Sequence, residues 1–154
     1  MIIDLCCGLG RFPGKEVVSI DIDRRVKPTI VADVRHLPLR QGLRPKLVHA
    51  SPPCKYLSMA RTRKQGYDEK GLAETFRIVA ACFDAFDYLE PSTWTLESPG
   101  TGVMKRILPG GVQTAYKSYD YPHKPTTFWS NNKSLKRAII PQHIRKALIK
   151  MRKP

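Results

Sequence analysis

The sequence predicts an α/β domain with a doubly wound, mostly parallel sheet. Short apolar stretches of strand length recur along the chain, and several end at an acidic residue or at a turn containing glycine or proline. One long amphipathic segment, typical of a helix, separates two of these stretches. The 154 residues are enough for one domain with a hydrophobic core, and no change of composition marks a second. We expect a single domain over residues 1–154 with a basic C-terminal segment from about residue 131.

The first three predicted strands each carry an acidic residue near the carboxyl end. They cover residues 1–5, 17–20 and 29–32, and their acids are Asp4, Asp21 and Asp33. Ligands of α/β sheets bind outside the carboxyl ends of the strands, where an acid can accept hydrogen bonds from ribose hydroxyls or a base amine. Capping or turn formation is the alternative for each aspartate taken alone. Together the three acids indicate a cofactor that contains a nucleoside.

The connection between the first two strands is short. It has eleven residues, among them Pro13-Gly14, whereas a parallel crossover usually takes a dozen or more and contains a helix. We therefore expect the first helix to be shortened to a turn or absent. The glycines of Cys6-Cys7-Gly8-Leu9-Gly10 would let the backbone approach a ligand.

A fourth strand over Leu47–Ala50 leads directly into Ser51-Pro52-Pro53-Cys54. Paired prolines hold φ at about −65° and provide no N–H donors, so they present the following cysteine in one orientation. Positive charge close in the sequence could favour a thiolate there. Those cations are Lys55, Arg61, Arg63 and Lys64. The alternative is that Cys54 is a small buried hydrophobe.

The clearest helix begins at Asp68-Glu69. From Leu72 onward its apolar residues recur at spacings of three and four, which predicts one buried face and a packing role for Cys82. Further strands are expected over residues 92–96, 112–116 and 126–130, and a basic helix over residues 142–152. Glu97 lies in the turn expected after the fifth strand, at the same edge of the sheet as Cys54.

The charge of the chain indicates a polyanionic partner. There are 27 Lys and Arg residues against 13 Asp and Glu, a net charge of +14, and no acidic residue follows Asp120. Nucleic acid is favoured over the solvated surface of a thermophile-like protein and over a membrane surface. The residues expected to contact nucleic acid are Arg61, Arg63, Lys64, Lys124, Arg145 and Lys146.

The four cysteines predict neither a metal site nor disulfide bonds. Cys6, Cys7, Cys54 and Cys82 have no C-x-x-C spacing, so reduced thiols and no zinc are expected. No apolar run approaches the roughly 18 residues that span a bilayer, and the N-terminus has no basic leader. The sequence thus predicts a soluble, cytoplasmic protein.

Five motifs occur in the order found in cytosine-5 DNA methyltransferases, and the chain resembles that family. They are Asp4-Leu5-Cys6-Cys7-Gly8-Leu9-Gly10, Asp21, Asp33, Ser51-Pro52-Pro53-Cys54 and Leu96-Glu97-Ser98-Pro99. Lys124-Pro125-Thr126-Thr127-Phe128-Trp129 is similar to the Lys-Pro-Thr-x-x-Trp segment of short phage-type and archaeal members. The resemblance implies a Rossmann-like, S-adenosylmethionine-dependent methyltransferase that modifies carbon 5 of cytosine in nucleic acid, with DNA favoured.

The resemblance also implies roles for individual residues. Cys54 would be the nucleophile that adds to carbon 6 of cytosine, and Glu97 would bind ring nitrogen 3 and the exocyclic amine. For S-adenosylmethionine it implies Asp4, Cys6, Gly8 and Gly10 at the methionine part, Asp21 at the ribose, Asp33 at the adenine amine, and further contacts from Ser51 and Pro52.

Some family features are not recognisable in this chain. Glu97-Ser98-Pro99 stands where larger members have Glu-Asn-Val, and their arginine-rich motif, target-recognition domain and C-terminal motif are not recognisable. Three alternatives remain: an RNA cytosine methyltransferase, an amino-group methyltransferase, and a non-catalytic nucleic-acid-binding module or subunit with an eroded cofactor site. Amino-group enzymes have an aromatic residue where Cys54 stands. Recognition of the target could come from a separate subunit.

Overall fold

Seven strands of the protein join one sheet. The structure is a computed structural model, and it describes residues 1–10, 12, 14–57, 66, 68–116 and 124–132. The strands are β1 (Ile2–Leu5), β2 (Val17–Asp21), β3 (Ile30–Val31), β4 (Leu47–Ala50), β5 (Thr93–Pro99), β6 (Val112–Tyr116) and β7 (Lys124–Ser130). The predicted helix over residues 142–152 lies outside the described residues.

The strand order is β3-β2-β1-β4-β5-β7-β6, and β7 runs antiparallel to both of its neighbours. The other neighbouring pairs are parallel. The chain therefore builds outward from β1 to β3, returns to the middle of the sheet and builds β4 and β5 on the other side. The predicted mostly parallel α/β sheet is confirmed, and its order reverses between β1 and β4.

The long helix α1 (Glu69–Leu89) forms where the apolar spacing predicts it. Asp68 caps its first turn by accepting a 2.9 Å hydrogen bond from the Gly71 N–H, and Glu90 ends it in the left-handed conformation. Cys82 is fully buried in the core, which confirms its packing role. The Phe86 ring stacks on Trp94 of β5 with centroids 4.9 Å apart, so α1 packs on the sheet through that strand.

The two faces of the sheet differ in chemistry because side chains alternate along each strand. The face covered by α1 is apolar, with Ile3, Leu5, Val48, Ala50 and Leu96 in the core. The opposite face, named here the polar face, carries Asp4, Ser19, His49 and Thr95, all buried, together with Glu97. A buried polar face requires hydrogen-bond partners, and these organise the site described below.

The described connections after β1, β2, β3 and β5 contain at most short helical elements. The described residues between β1 and β2 contain no helix, in agreement with the shortened first crossover that the spacing predicts. Single 3₁₀ turns over Arg24–Val26 and Val34–His36 follow β2 and β3, and the four-residue α2 (Met104–Ile107) follows β5. None of the helices in the described part of the chain is long and apolar enough to cross a membrane.

The fifth strand is longer than the sequence predicts. It continues through Glu97 and Ser98 to Pro99 because residues 95–99 pair with residues 126–130 of β7. The expectation that Glu97 lies in a turn is therefore wrong. The partner strand extends the regular structure by pairing, so Glu97 is held by a ladder on the polar face.

Candidate functional site

The carboxyl ends of β1 and β4 lie side by side at the point where the strand order reverses. Leu5 of β1 pairs with Ala50 of β4, and the Ser51 N–H continues the ladder with a 3.1 Å hydrogen bond to the Leu5 carbonyl. The glycine loop (residues 6–10) and the proline loop (residues 51–57) leave the sheet here. In open α/β sheets this crevice is the preferred ligand site.

Two of the predicted cofactor acids hold the connection after β1 in place. The Gly8 N–H donates to Asp21 Oδ2 at 2.9 Å, and the Phe12 N–H donates to Asp4 Oδ2 at 2.9 Å. Gly8 has φ of +53°, a conformation that disfavours a side chain. Gly10 is exposed in the turn between these two anchors. The structure thus brings Asp4, Gly8 and Asp21 together at the end of β1 and β2.

The side chain of Cys6 turns toward α1. Its backbone has φ of +52°, and the side chain packs against the core cluster that contains Cys82. A hydrogen bond with the Cys82 thiol, burial, and the nearby carboxylates of Asp21 and Asp4 raise the pKa of the Cys6 thiol well above its ordinary value. The thiol therefore stays protonated, and a contact of Cys6 with a cofactor would use its backbone.

Asp33 makes the capping interaction that the sequence leaves as the alternative. Its carboxylate caps the turn over Val34–His36 and accepts hydrogen bonds from the Arg35 guanidinium. These bonds lower the pKa of Asp33 to about 2, against the opposing effect of burial. Arg35 also donates to Glu74 Oε1 of α1 at 2.8 Å. Asp33 therefore helps tie the end of β3 to α1, and any adenine contact would share its oxygens with Arg35.

The proline loop is anchored on both sides of Cys54. Pro52 is buried, whereas Ser51 and Cys54 are half-buried. The Cys54 carbonyl accepts a 3.1 Å hydrogen bond from the N–H of Leu57, a fully buried residue. The Leu57 carbonyl in turn accepts a 3.1 Å bond from the Val103 N–H, in the segment after β5. The loop that carries Cys54 is thus fastened to the segment that follows the strand carrying Glu97.

Glu97 lies beside the proline loop and beside β7. Leu96 pairs with Ala50, so Glu97 is next to Ser51 across the parallel pair, and Glu97 itself pairs with Phe128. Its side chain is 21% exposed. The segment Lys124–Ser130, which contains Lys124-Pro125-Thr126-Thr127-Phe128-Trp129, is the strand that flanks Glu97.

His49 is a site residue that the sequence analysis missed. It is 5% exposed on the polar face, and its Nδ1 lies 2.8 Å from Thr95 Oγ1. Its Nε2 lies 2.8 Å from Ser51 Oγ and 3.8 Å from Glu97 Oε2. The available signal was an ionisable side chain in the middle of an otherwise apolar strand.

The predicted nucleic-acid contacts are mostly outside the described residues. This applies to Arg61, Arg63, Lys64, Arg145 and Lys146, while Lys124 begins β7. In the described part, three exposed cations lie on the proline loop or on α2, which directly follows the residue bonded to Leu57 of that loop. They are Lys55, whose Nζ lies 5.2 Å from the centroid of the Tyr56 ring, and Lys105 and Arg106 of α2.

The site therefore combines a glycine loop held by carboxylates, a cysteine in an anchored proline loop, and a glutamate on the adjacent strand. No protein-family model matches this chain and no curated protein matches it, so the case for a function rests on the geometry of these residues.

Proposed function

We propose that this protein is an S-adenosylmethionine-dependent methyltransferase with a Rossmann-like fold that modifies carbon 5 of cytosine in nucleic acid, with DNA favoured. The observation that carries the proposal is the position of Cys54 and Glu97. Cys54 follows β4 and Glu97 lies in the adjacent strand β5, next to the crevice where the strand order reverses. The reversal point is where an α/β sheet of this kind binds a nucleotide-like cofactor.

The residues at the β1 end fit the cofactor. An ionised carboxylate has about four acceptor positions, and the Asp21 carboxylate uses its oxygens for the N–H groups of Gly8 and Asp23. Ribose hydroxyls can be accepted at the other positions. Leu9 and Gly10 are exposed, and their backbone offers contacts to the methionine part. When bound, S-adenosylmethionine would supply the methyl group as an electrophilic sulfonium.

The chemistry of the protein's own groups follows from the weak nucleophilicity of carbon 5. Attack of the Cys54 thiolate on carbon 6 forms an S–C bond and moves electron density to carbon 5. The negative charge that develops on the ring is relieved by Glu97 in its acid form, which donates its proton in a hydrogen bond to ring nitrogen 3. After methyl transfer, a water molecule takes the proton from carbon 5, and the electron pair of that C–H bond re-forms the double bond between carbon 5 and carbon 6. The S–C bond breaks, Cys54 leaves as a thiolate, and ring nitrogen 3 returns its proton to Glu97.

A nucleic-acid substrate is supported by the charge. Lys55 of the proline loop and Lys105 and Arg106 of α2 are exposed, and the net charge of the whole chain is +14. Such side chains contact phosphates and position a strand without reading its sequence. The target base must leave its stack to reach Cys54, because carbon 5 and carbon 6 are inaccessible to a nucleophile in a duplex.

One observation favours a second candidate, a non-catalytic nucleic-acid-binding module. The described residues between β1 and β2 contain no helix, so the glycine loop lacks the helix N-terminus that usually completes a phosphate or nucleotide site. Under this alternative Asp4 and Asp21 only hold the loop, and the protein does not bind the cofactor.

The test uses a trap for the covalent intermediate. An oligonucleotide with 5-fluorocytosine should become covalently attached to the wild type in the presence of S-adenosylmethionine, because fluorine cannot leave carbon 5 as the proton does. The same oligonucleotide with ordinary cytosine is the matched control and should give no lasting adduct. Cys54→Ala should give no adduct and no methyl transfer while binding the cofactor normally by calorimetry.

Other outcomes separate the alternatives. Methylation that persists in Cys54→Ala would point to amino-group chemistry. Transfer to RNA with none to DNA would change the substrate. A wild type that shows no heat and no thermal shift with millimolar S-adenosylmethionine would favour the binding module.

A further inference from the structure

The His49 side chain occupies a central place on the polar face. In the sheet it pairs with Asp4 of β1 on one side and with Thr95 of β5 on the other. The Phe12 ring meets it edge-on at 4.8 Å between centroids, and Phe128 of β7 lies 6.5 Å away. An ionisable ring enclosed in this way is costly unless its nitrogens are satisfied by hydrogen bonds.

Each ring nitrogen of His49 has a hydroxyl partner at 2.8 Å. Nδ1 meets Thr95 Oγ1, and Nε2 meets Ser51 Oγ. A neutral imidazole has one donor and one acceptor, and a hydroxyl can take either role, so both contacts are satisfied in either tautomer. The ring therefore joins β5 to the first residue of the proline loop.

The same Nε2 faces Glu97. The distance to Oε2 is 3.8 Å, and the Glu97 backbone is held next to Ser51 by the pairing of β4 with β5. Among the described contacts, one imidazole nitrogen thus lies against Ser51 and against Glu97. The family resemblance implies a cofactor contact for Ser51, and the proposed function places Glu97 at the base. A shift of the ring would disturb both sides of the site.

We propose that His49 is a positioning residue that keeps the Ser51 hydroxyl and the Glu97 carboxylate in a fixed relation. This inference rests on the proposed function and adds a residue to it. His49 is not assigned a contact with the substrate, because its polar atoms are engaged by neighbouring side chains at the base of the site. Its role is carried by Nε2, whereas its contact with Thr95 through Nδ1 serves the sheet.

Because the two ring nitrogens of His49 have different partners, a matched pair of variants can separate their roles. In His49→Gln, the terminal amide can reach the position of Nε2 and restore a hydrogen-bond partner for Ser51, but the hydrogen bond with Thr95 is lost. In His49→Asn, the shorter amide can occupy the position of Nδ1 and retain the hydrogen bond with Thr95, but the contacts with Ser51 and Glu97 are lost. Each variant replaces one buried ring by one buried amide and loses one hydroxyl contact, so their melting temperatures should be similar.

The measurements are the methyl-transfer rate at saturating oligonucleotide and cofactor, and the affinity for S-adenosylmethionine by calorimetry. His49→Asn should reduce the rate by at least about tenfold, since misplacement of a catalytic group by 1 Å can cost about 100-fold. It should also weaken cofactor binding through the released Ser51. His49→Gln should recover most of both losses.

If the wild type is active, three results would overturn this inference without affecting the proposed function. In the first, both variants lose activity equally and in proportion to their loss of stability. In the second, both variants are as active as the wild type, and in the third, His49→Gln is impaired more than His49→Asn. If the wild type binds the cofactor but transfers no methyl group, the proposed function fails, and cofactor affinity in the two variants still decides the Ser51 contact. A wild type that binds no cofactor overturns the proposed function and this inference together.

Discussion

Substituting Gly102 tests how closely the proline loop packs against the segment after β5. A Cβ at this position would lie 2.5 Å from the Leu57 carbonyl oxygen and 3.1 Å from that of Pro99. Comfortable contacts begin at about 3.5 Å, so Gly102→Ala forces the two backbone segments apart by roughly 1 Å. Neither neighbour can rotate away, because both clashing atoms belong to the backbone.

The expected cost is that of overpacking a well-ordered contact, about 1–3 kcal/mol. At roughly 2–4 °C per kcal/mol for a chain of this size, the melting temperature of Gly102→Ala should fall by about 2–12 °C. Leu57 is fully buried and bonded to the Cys54 carbonyl, so the displacement should reach Cys54. Methyl transfer by the folded variant should fall by about 10- to 100-fold.

The control is Thr101→Ala, at the exposed neighbouring position, which should change stability by less than about 0.5 kcal/mol. Thermal unfolding followed by circular dichroism measures both variants. A melting temperature of Gly102→Ala equal to that of the wild type would refute the close approach. A destabilised variant with undiminished transfer per folded molecule would refute the link between this contact and the site.

Four further predictions follow from individual side chains. Asp21→Ala should weaken S-adenosylmethionine binding by roughly 1.5–3 kcal/mol in calorimetry, because the loop backbone and the ribose lose a charged acceptor. The pKa of Asp33 is lowered to about 2, so its ion pair stabilises the fold above about pH 4 and is lost as pH falls toward 2. Chemical denaturation should show a smaller loss over that range in Asp33→Asn, by about 1 kcal/mol after solvent screening. Thr127→Val should be neutral or stabilising in thermal unfolding, because the buried Thr127 hydroxyl has no hydrogen-bond partner among the described atoms. Replacing Arg145 and Lys146 together by Ala should weaken binding to all oligonucleotides alike and make the slope of log affinity against log salt shallower by up to about two.

The elements that depend on local periodicity could be predicted well. The apolar spacing of α1 and the short apolar strands each require only neighbouring residues to be recognised. The acids at the strand ends were recognisable for the same reason, and Asp21 and Asp4 do lie at the glycine loop. The role of Asp33 was open because a capping aspartate and a ligand-binding aspartate look alike in sequence.

Long-range pairing accounts for the main error in the strands. Residues 97–99 look like a turn because they are polar or proline, yet β7 pairs with them from about thirty residues later in the chain. Cross-strand hydrogen bonds outweigh weak local preferences for strand or turn. That pairing places Phe128 beside Glu97, which nothing near Glu97 in the sequence indicates.

The sequence by itself determined the mostly parallel α/β sheet and the short first crossover. These follow from composition, spacing and residue chemistry along short stretches. Only the tertiary structure decided that His49 joins Ser51 to Glu97, that Cys6 turns toward Cys82, and that Gly102 fits against Leu57. Each of these contacts, apart from that of His49 with Ser51, joins residues more than forty positions apart. Their partners are set by the packing of strands and loops, which local sequence patterns do not encode.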